Sequence, residues 1–365
     1  MIKLTNLIKT VSLCSALISG LSFAEGIPQV KATMFMEQEG FLMWYAKEQG
    51  WDNELGIDIK LEISNTNGID VMNKHRDNPD IWNITAASSI PFIIGSNNMD
   101  LRIIGIACDE GPSTSVMIRK GSDILKVKGW NQDYPEICGS PETIKGKTFL
   151  VKGISSGAYT LAAWLDIFNL NFSHVVIKDI TGPEILKEME NKNITGAGLW
   201  SPDTYESEYI GYQNVTTAAN IDEYIPIMFL ADNKYVKDNE ETVGKFLAVY
   251  FRAVEKLRED ANQMVPAYQK FLKSYTGRDF SETICLKDLK DHTVYTIDEQ
   301  LNLFENKDNK KSAIQKIERT LTTGLMLIMK DLPSNNPNIK ITNHMKDPNY
   351  VTDKYLKIAK KYLNK

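Results

Sequence analysis

Residues 80–95 read DIWNITAASSIPFIIG, an alternating segment followed at once by small hydroxyl residues and an apolar run. The alternation from Trp82 to Thr85 predicts a short strand. Ser89 is placed to cap a helix whose first turn holds Pro91, where the missing N–H of proline costs no hydrogen bond. Such a strand-to-helix corner presents backbone N–H groups that attract negative charge. An ordinary structural corner gives the same pattern, so the interpretation depends on two similar corners later in the chain.

The second corner follows a predicted strand over residues 147–151, where Ser155, Ser156 and Gly157 open a helix. The third follows a strand over residues 196–200 and ends in Ser-Pro-Asp. Between these corners, strand and helix patterns alternate, which predicts mixed or parallel sheets covered on both faces. After the strand at residues 225–232 the pattern is mostly helical.

The chain has 365 residues, a formal charge of −5 and 42% hydrophobic residues, which suits two ordinary α/β lobes and disfavours a nucleic-acid surface. Its start is basic, an apolar run follows, and Ser22-Phe23-Ala24 offers small residues at a cleavage site. We interpret residues 1–24 as a secretory signal peptide, because the run is too short for a membrane span.

Cysteine and histidine usage indicates no metal centre. Cys108, Cys138 and Cys285 remain after the leader, none in a C-x-x-C pair, and the four histidines are scattered. Export permits a disulfide, and we predict Cys108–Cys138, with Cys285 as a buried apolar side chain.

An ordered set of motifs runs through residues 30–258. It comprises EGFLMWYAKEQGW at residues 39–51, LGIDI at 55–59, DIWN at 80–83, GKTF at 146–149 leading to SSG at 155–157, and GAGLWSP at 196–202. The chain resembles the solute-binding proteins of ABC importers for taurine, alkanesulfonates and nitrate, a group that includes a thiamine-pyrimidine synthase-like branch.

The resemblance implies an α/β fold of the type II periplasmic-binding-protein class. Two lobes with mixed sheets covered by helices would be joined by two crossing hinge strands and followed by a helical C-terminal tail. After the leader, lobe 1 would hold residues 25–112, lobe 2 residues 113–224, and residues 225–365 would return to lobe 1 and form the tail. The crossings would lie near residues 109–112 and 224–226, and the lobes would close on a solute.

The helix starts and nearby acids and aromatics supply the candidate ligand-binding residues. Helix N-termini and hydroxyls suit an anionic head, acids suit an ammonium group, and aromatic rings could form an apolar wall. Solvated acids and core aromatics are the ordinary alternatives. The candidates are Glu37, Gln38, Glu39, Asn83, Ser88, Ser89, Ser155, Ser156, Gly157, Tyr159, Trp200, Asp203 and Asp232.

The predicted function is that of a periplasmic receptor without cofactor, metal or catalytic residues. As a monomer it would deliver a small zwitterion or organic anion, such as taurine, a sulfonate or an amino acid, to an ABC permease. It would bind no nucleic acid and meet the membrane only through the permease. The alternatives are a thiamine-pyrimidine-like binding or synthase-branch protein, and a sensor on the same fold.

Overall fold

The computed structural model describes residues 26–96, 99–153, 155–180, 184–305, 312–329 and 350–363. The predicted signal peptide lies outside these residues. The strands are β1 (Gln29–Phe35), β2 (Asp58–Ser64), β3 (Ile84–Ser88), β4 (Leu101–Asp109), β5 (Ser115–Arg119), β6 (Thr148–Val151), β7 (Val176–Asp179), β8 (Gly196–Leu199), β9 (Tyr212–Thr217) and β10 (Pro226–Asp232).

Helices cover the sheets and make up most of the chain after β10. They are α1 (Gln38–Glu48), α2 (Trp51–Glu54), α3 (Gly68–Asp77), α4 (Ser89–Gly95), α5 (Pro141–Ile144), α6 (Ser156–Asp166), α7 (Ile185–Met189), α8 (Asp203–Tyr209), α9 (Asn233–Asp238), α10 (Glu240–Glu259), α11 (Val265–Thr276), α12 (Glu282–Asp291), α13 (Ile297–Phe304), α14 (Ala313–Met329) and α15 (Lys354–Leu363).

The first sheet has the order β2-β1-β3-β10-β4. Strands β1, β2 and β3 run parallel, and β10 returns antiparallel between β3 and β4. The long helix α10 packs on this sheet. The rings of Phe246 and Tyr250 lie edge-to-face on the ring of Phe229 in β10, with centroid distances of 5.9 and 4.7 Å respectively. The first lobe is therefore built from both ends of the chain.

The second sheet has the order β7-β6-β8-β5-β9, with β6 parallel to β7 and β8 and with β5 antiparallel to β8 and β9. Helix α6 lies almost in backbone contact with β8, because a Cβ on Gly157 would be 2.5 Å from the carbonyl oxygen of Gly198. Paired glycines are what this close approach requires.

Two chain crossings lie side by side between the sheets. The Glu110 N–H donates to the Ile225 carbonyl at 3.0 Å, and Asp109 Oδ1 accepts from the N–H groups of Gly111 and Ile225 at 2.9 and 3.0 Å. The α12–α13 connection joins them, since Asp109 and Thr293 exchange backbone hydrogen bonds. The two covered mixed sheets, the crossings and the C-terminal helices confirm the predicted fold class. The lobe limits stay a prediction.

Two local predictions were wrong. Strand β3 begins at Ile84, and Ser88, which precedes α4, takes the N-cap position predicted for Ser89. Residues 121–146, between β5 and β6, bury Ile124 and Ile137 in the second core.

The predicted Cys108–Cys138 disulfide is also wrong: Cys108, Cys138 and Cys285 are free and buried. Cys108 belongs to the core of the first sheet and Cys138 to that of the second, so the two thiols lie in different hydrophobic cores.

Candidate functional site

A cavity of about 170 Å³ lies between the two sheets and takes its walls from both. It lies where β1, β2 and β3 of the first sheet and β6 and β8 of the second reach their carboxyl ends, the edge at which α/β sheets bind ligands. The lining residues are Phe35, Glu37, Thr66, Asn67, Gly68, Ile69, Asp70, Ser88, Pro91, Glu110, Lys152, Gly153, Ser155, Ser156, Trp200 and Ile227.

A second, larger hollow of about 570 Å³ lies along β1 and β2, lined by Lys31, Asp58 and Lys60 among others. We assign the site to the smaller cavity, because the larger hollow is lined by the first lobe alone and no helix start enters it.

Five predicted site residues meet at the cavity: Glu37, Ser88, Ser155, Ser156 and Trp200. Ser155 caps α6, and its side chain accepts from the Ala158 N–H at 3.3 Å. All three strand-to-helix corners singled out in the sequence therefore reach one hollow.

The two lobes touch through Trp200. Its indole Nε1–H donates to Glu37 Oε1 at 2.7 Å, and the Lys152 Nζ lies 4.7 Å from the centre of the Trp200 ring. Lys152 also pairs with Asp203 at 2.5 Å, so the predicted residue Asp203 acts on the cavity through a lysine. On its other side Asp203 faces Arg278, 3.4 Å away, from the α11–α12 connection.

The α11–α12 segment makes further contacts with the second lobe. Arg278 forms an ion pair with Glu206 of α8, and the Tyr205 hydroxyl donates to Asp291 Oδ2 at 2.9 Å. The α11–α12 segment therefore contacts α8, the helix that follows Trp200.

Asn83 and Asp232 are not at the cavity, and their prediction as ligand-binding residues is corrected. Asn83 Oδ1 accepts from the Lys31 N–H at 2.9 Å, and the Asp232 N–H donates to the Asn83 carbonyl. Both lie at the amino end of β3, whereas the cavity lies at its carboxyl end beyond Ser88. Five residues of strand separate the two edges by roughly 15 Å.

Gln38 and Glu39 lie behind the cavity rather than in its wall. Gln38 Nε2 donates to the Leu289 carbonyl at 2.8 Å. Glu39 is fully buried, and neither carboxyl oxygen has a hydrogen-bond partner among the described residues. Burial, and next the neighbouring Glu37, raise the pKa of Glu39 well above its usual range.

Ser89, Gly157 and Tyr159 also serve packing. Ser89 Oγ lies 3.8 Å from Met228 Sδ, and Gly157 forms the contact of α6 with β8. The Tyr159 hydroxyl donates to Glu223 Oε2 at 2.7 Å. None of the three lines the cavity.

Glu110 is the main lining residue that we did not select, although it stands among the acids near the predicted crossing. It is 2% exposed, lines the cavity together with Ser156, and leaves Oε1 without a partner in the described part of the chain. Burial, reinforced by Glu37, raises the pKa of Glu110 to about 8, and burial raises that of Glu37 to about 7. The loop with Thr66 and Asn67 was also missed.

His292 and Asp288 form a buried ion pair beside these acids, with His292 Nδ1 3.3 Å from Asp288 Oδ1. Burial opposes the charge on the imidazole, but the hydrogen bond to Asp288 and its charge prevail and raise the pKa of His292 to about 10. The ring's other nitrogen meets Ser113 Oγ at 3.1 Å. The spacing i, i+4 on a helix is the signal that could have found this pair.

No group of three His, Cys, Asp or Glu side chains is arranged to hold a metal ion within the described ranges. Across those ranges no helix is both long and apolar enough to span a bilayer.

Two α/β lobes, paired crossings and a small polar cavity between them define the periplasmic-binding-protein fold. The profile of the NMT1/THI5-like family matches residues 40–263, so the chain belongs to that family. This confirms the resemblance inferred from the motifs.

One curated relative, described as an ABC transporter periplasmic binding protein of Brachyspira hyodysenteriae, is 26% identical over 227 residues, or 61% of this chain. The chain spans 64% of that relative's length.

Two solved structures show the same fold. The alkanesulfonate-binding protein SsuA from Xanthomonas axonopodis pv. citri, bound to MOPS, has a TM-score of 0.62 at 12% identity over 84% of this chain and 94% of its own. The nitrate-binding protein NrtA from Synechocystis has a TM-score of 0.63 at 11% identity over 92% of this chain and 89% of its own.

Proposed function

We propose that the chain is an extracytoplasmic receptor that captures a small zwitterion or organic anion and hands it to an ABC permease. The observation that carries this proposal is the interlobe cavity, lined at the carboxyl ends of strands from both sheets and bridged by the Trp200–Glu37 hydrogen bond. A solute held there contacts both lobes, so binding favours the closed arrangement.

The relatives support this role over an enzymatic one. The curated relative is described as a binding protein, and SsuA and NrtA bind alkanesulfonate and nitrate respectively. Export through the leader at residues 1–24 would place a monomeric receptor in the periplasm, next to its permease.

The solute side of the proposal is consistent with the size and chemistry of the cavity. About 170 Å³ admits a solute of taurine or amino-acid size. Hydroxyls of Ser155 and Ser156 at the start of α6, together with Lys152, suit an anionic head, and Glu37 and Glu110 suit an ammonium group.

A thermal-shift screen with taurine, alkanesulfonates, nitrate and amino acids tests the receptor function. A ligand at 100 times its Kd stabilises the folded chain by about 2.7 kcal/mol, which raises Tm measurably. The variant Trp200→Phe should weaken the response, because the interlobe hydrogen bond is lost.

The matched control is Trp130→Phe, since Trp130 is 40% exposed and does not line the cavity. Equal responses of the two variants would contradict a role for the interlobe contact. A flat response to every solute class would refute the proposed function.

A further inference from the structure

One hydrogen-bond acceptor in the cavity has no partner among the residues that the structure describes. Glu110 Oε1 has no hydrogen-bond partner in the described residues, although the side chain is 2% exposed and lines the cavity. Leaving a buried acceptor unpaired destabilises the empty site, and more so when the group is charged. A ligand that donates to Oε1 removes this destabilisation.

Glu37 lines the same cavity as Glu110. Glu37 Oε1 accepts a hydrogen bond from the Trp200 indole N–H. Glu37 is also near enough to Glu110 for its negative charge to raise the pKa of Glu110. Two acids therefore share one small space.

The neighbouring cations are already committed to other acids. His292 is paired with Asp288, and Lys152, the one cation among the residues that line the cavity, is paired with Asp203. The titratable groups that face Glu110 and Glu37 from the packed elements are Glu39 of α1, Asp109 of β4, Asp288 of α12, His292 directly after α12, and Lys152 after β6. Asp70 of α3 lines the same cavity. Acids outnumber bases, which disfavours an anion without a compensating positive group.

We propose that the solute carries a protonated amine or amidine whose N–H groups donate to Glu37 and Glu110. The inference rests on the proposed receptor function and narrows it to solutes with this cationic group. An anionic end of the same molecule would point toward Lys152 and the start of α6. Bare anions such as nitrate or an unsubstituted alkanesulfonate are excluded as the principal cargo.

Proton release accompanies this mode of binding. Burial raises the pKa of Glu110 to about 8 and that of Glu37 to about 7, so at neutral pH the empty site holds a proton that the bound amine displaces. Affinity should therefore rise from pH 6 to pH 8, while an aliphatic amine stays protonated. A bare sulfonate would show the opposite trend, because ionised carboxylates repel it.

Matched pairs of solutes test the proposal by calorimetry. The two members of each pair differ only in that hydroxyl groups replace the amines. Taurine is compared with isethionate, γ-aminobutyrate with γ-hydroxybutyrate, and putrescine with 1,4-butanediol. We expect that, in at least one pair, the solute with the amine binds at least tenfold tighter than its hydroxyl partner. Its binding should release protons and should be tighter at pH 8 than at pH 6.

The outcomes separate the two claims. A hydroxyl partner that binds as tightly as its amine overturns this inference and leaves the receptor function standing. Absence of binding throughout the pairs and the wider solute screen refutes the receptor function, and the inference fails with it.

A carboxyl-to-amide variant places the effect at Glu110. Glu110→Gln keeps the shape of the side chain and should lose at least tenfold in amine affinity and most of the proton release, because Glu110 has the higher pKa of the two acids. Glu282→Gln, an exposed acid on α12, is the control and should change neither. Unchanged proton release in Glu110→Gln would contradict the assignment.

Discussion

Replacing Glu110 by Gln should stabilise the empty protein at alkaline pH and not at acid pH. The carboxyl group has an ordinary pKa of 4.5 and a folded-state pKa of about 8, raised first by burial and then by Glu37. The folded chain therefore binds the proton more tightly than the unfolded chain. The contribution of Glu110 to the free energy of unfolding is therefore most favourable below pH 4.5, and it decreases as the pH rises toward 8.

The magnitude follows from this difference. One unit of pKa corresponds to 1.36 kcal/mol, so the ionised carboxyl group costs about 4 kcal/mol at pH 8 and about 1 kcal/mol at pH 5. An amide abolishes this cost but introduces a buried NH₂ group that needs an acceptor, which costs about 1–3 kcal/mol. The net gain at pH 8 is therefore about 1–3 kcal/mol, and at pH 5 the gain vanishes or reverses.

Thermal unfolding of both proteins at pH 5, 6.5 and 8 without ligand measures the effect. A gain of about 2 kcal/mol should raise Tm by roughly 3 °C at pH 8, because the unfolding entropy of a chain of this length is about 0.7 kcal/mol/K. The control Glu282→Gln should follow the wild type throughout. Equal pH dependence of Glu110→Gln and wild type, or destabilisation of the variant at pH 8, would refute the reasoning.

Three further predictions concern stability and thiol chemistry. Gly157→Ala should cost about 1–3 kcal/mol in thermal unfolding, because the new Cβ would meet the backbone of Gly198 at 2.5 Å. His292→Asn should cost about 3–5 kcal/mol by leaving Asp288 buried and unpaired, and the added change Asp288→Asn should recover part of this loss. In the chain without residues 1–24, and without reductant, a thiol reagent should react with three cysteines in denaturant. It should react with none in the native protein, because all three thiols are buried. These are Cys108, Cys138 and Cys285.

Each of these predictions has a control. Gly26→Ala places its Cβ with nothing within 4 Å and should be neutral, whereas a neutral Gly157→Ala would contradict the close packing. A double variant at His292 and Asp288 that is no more stable than the single one would show that the ion pair is not the cause. A single titratable thiol in denaturant would restore the predicted disulfide.

The sequence predicts the corners of this fold well because their signals are local. Hydroxyl residues, glycine and proline at a helix start depend on backbone geometry within one turn, and Ser88, Ser155 and Trp200 accordingly reach the cavity. The direction of a strand also decides which end faces the ligand. Asn83 was misplaced for that reason, because it lies before β3 rather than after it.

The electrostatics of the site could not be predicted in the same way. Glu110 is an ordinary acid until β4, α1 and α6 enclose it, and His292 approaches the cleft only because α12 packs behind α1. Likewise, Asp203 matters through Lys152 and Arg278, residues 51 and 75 positions away. Burial and charge at long sequence separation are products of the tertiary structure.

The contacts of the α11–α12 segment with α8 affect how fast the two lobes can separate. Separating the lobes must break the Arg278–Glu206 and Tyr205–Asp291 contacts as well as those made by the cargo. Under the proposed receptor function, these contacts outside the cavity partly govern how long a captured solute stays bound. A permease that separates them would then accelerate release without contacting the solute.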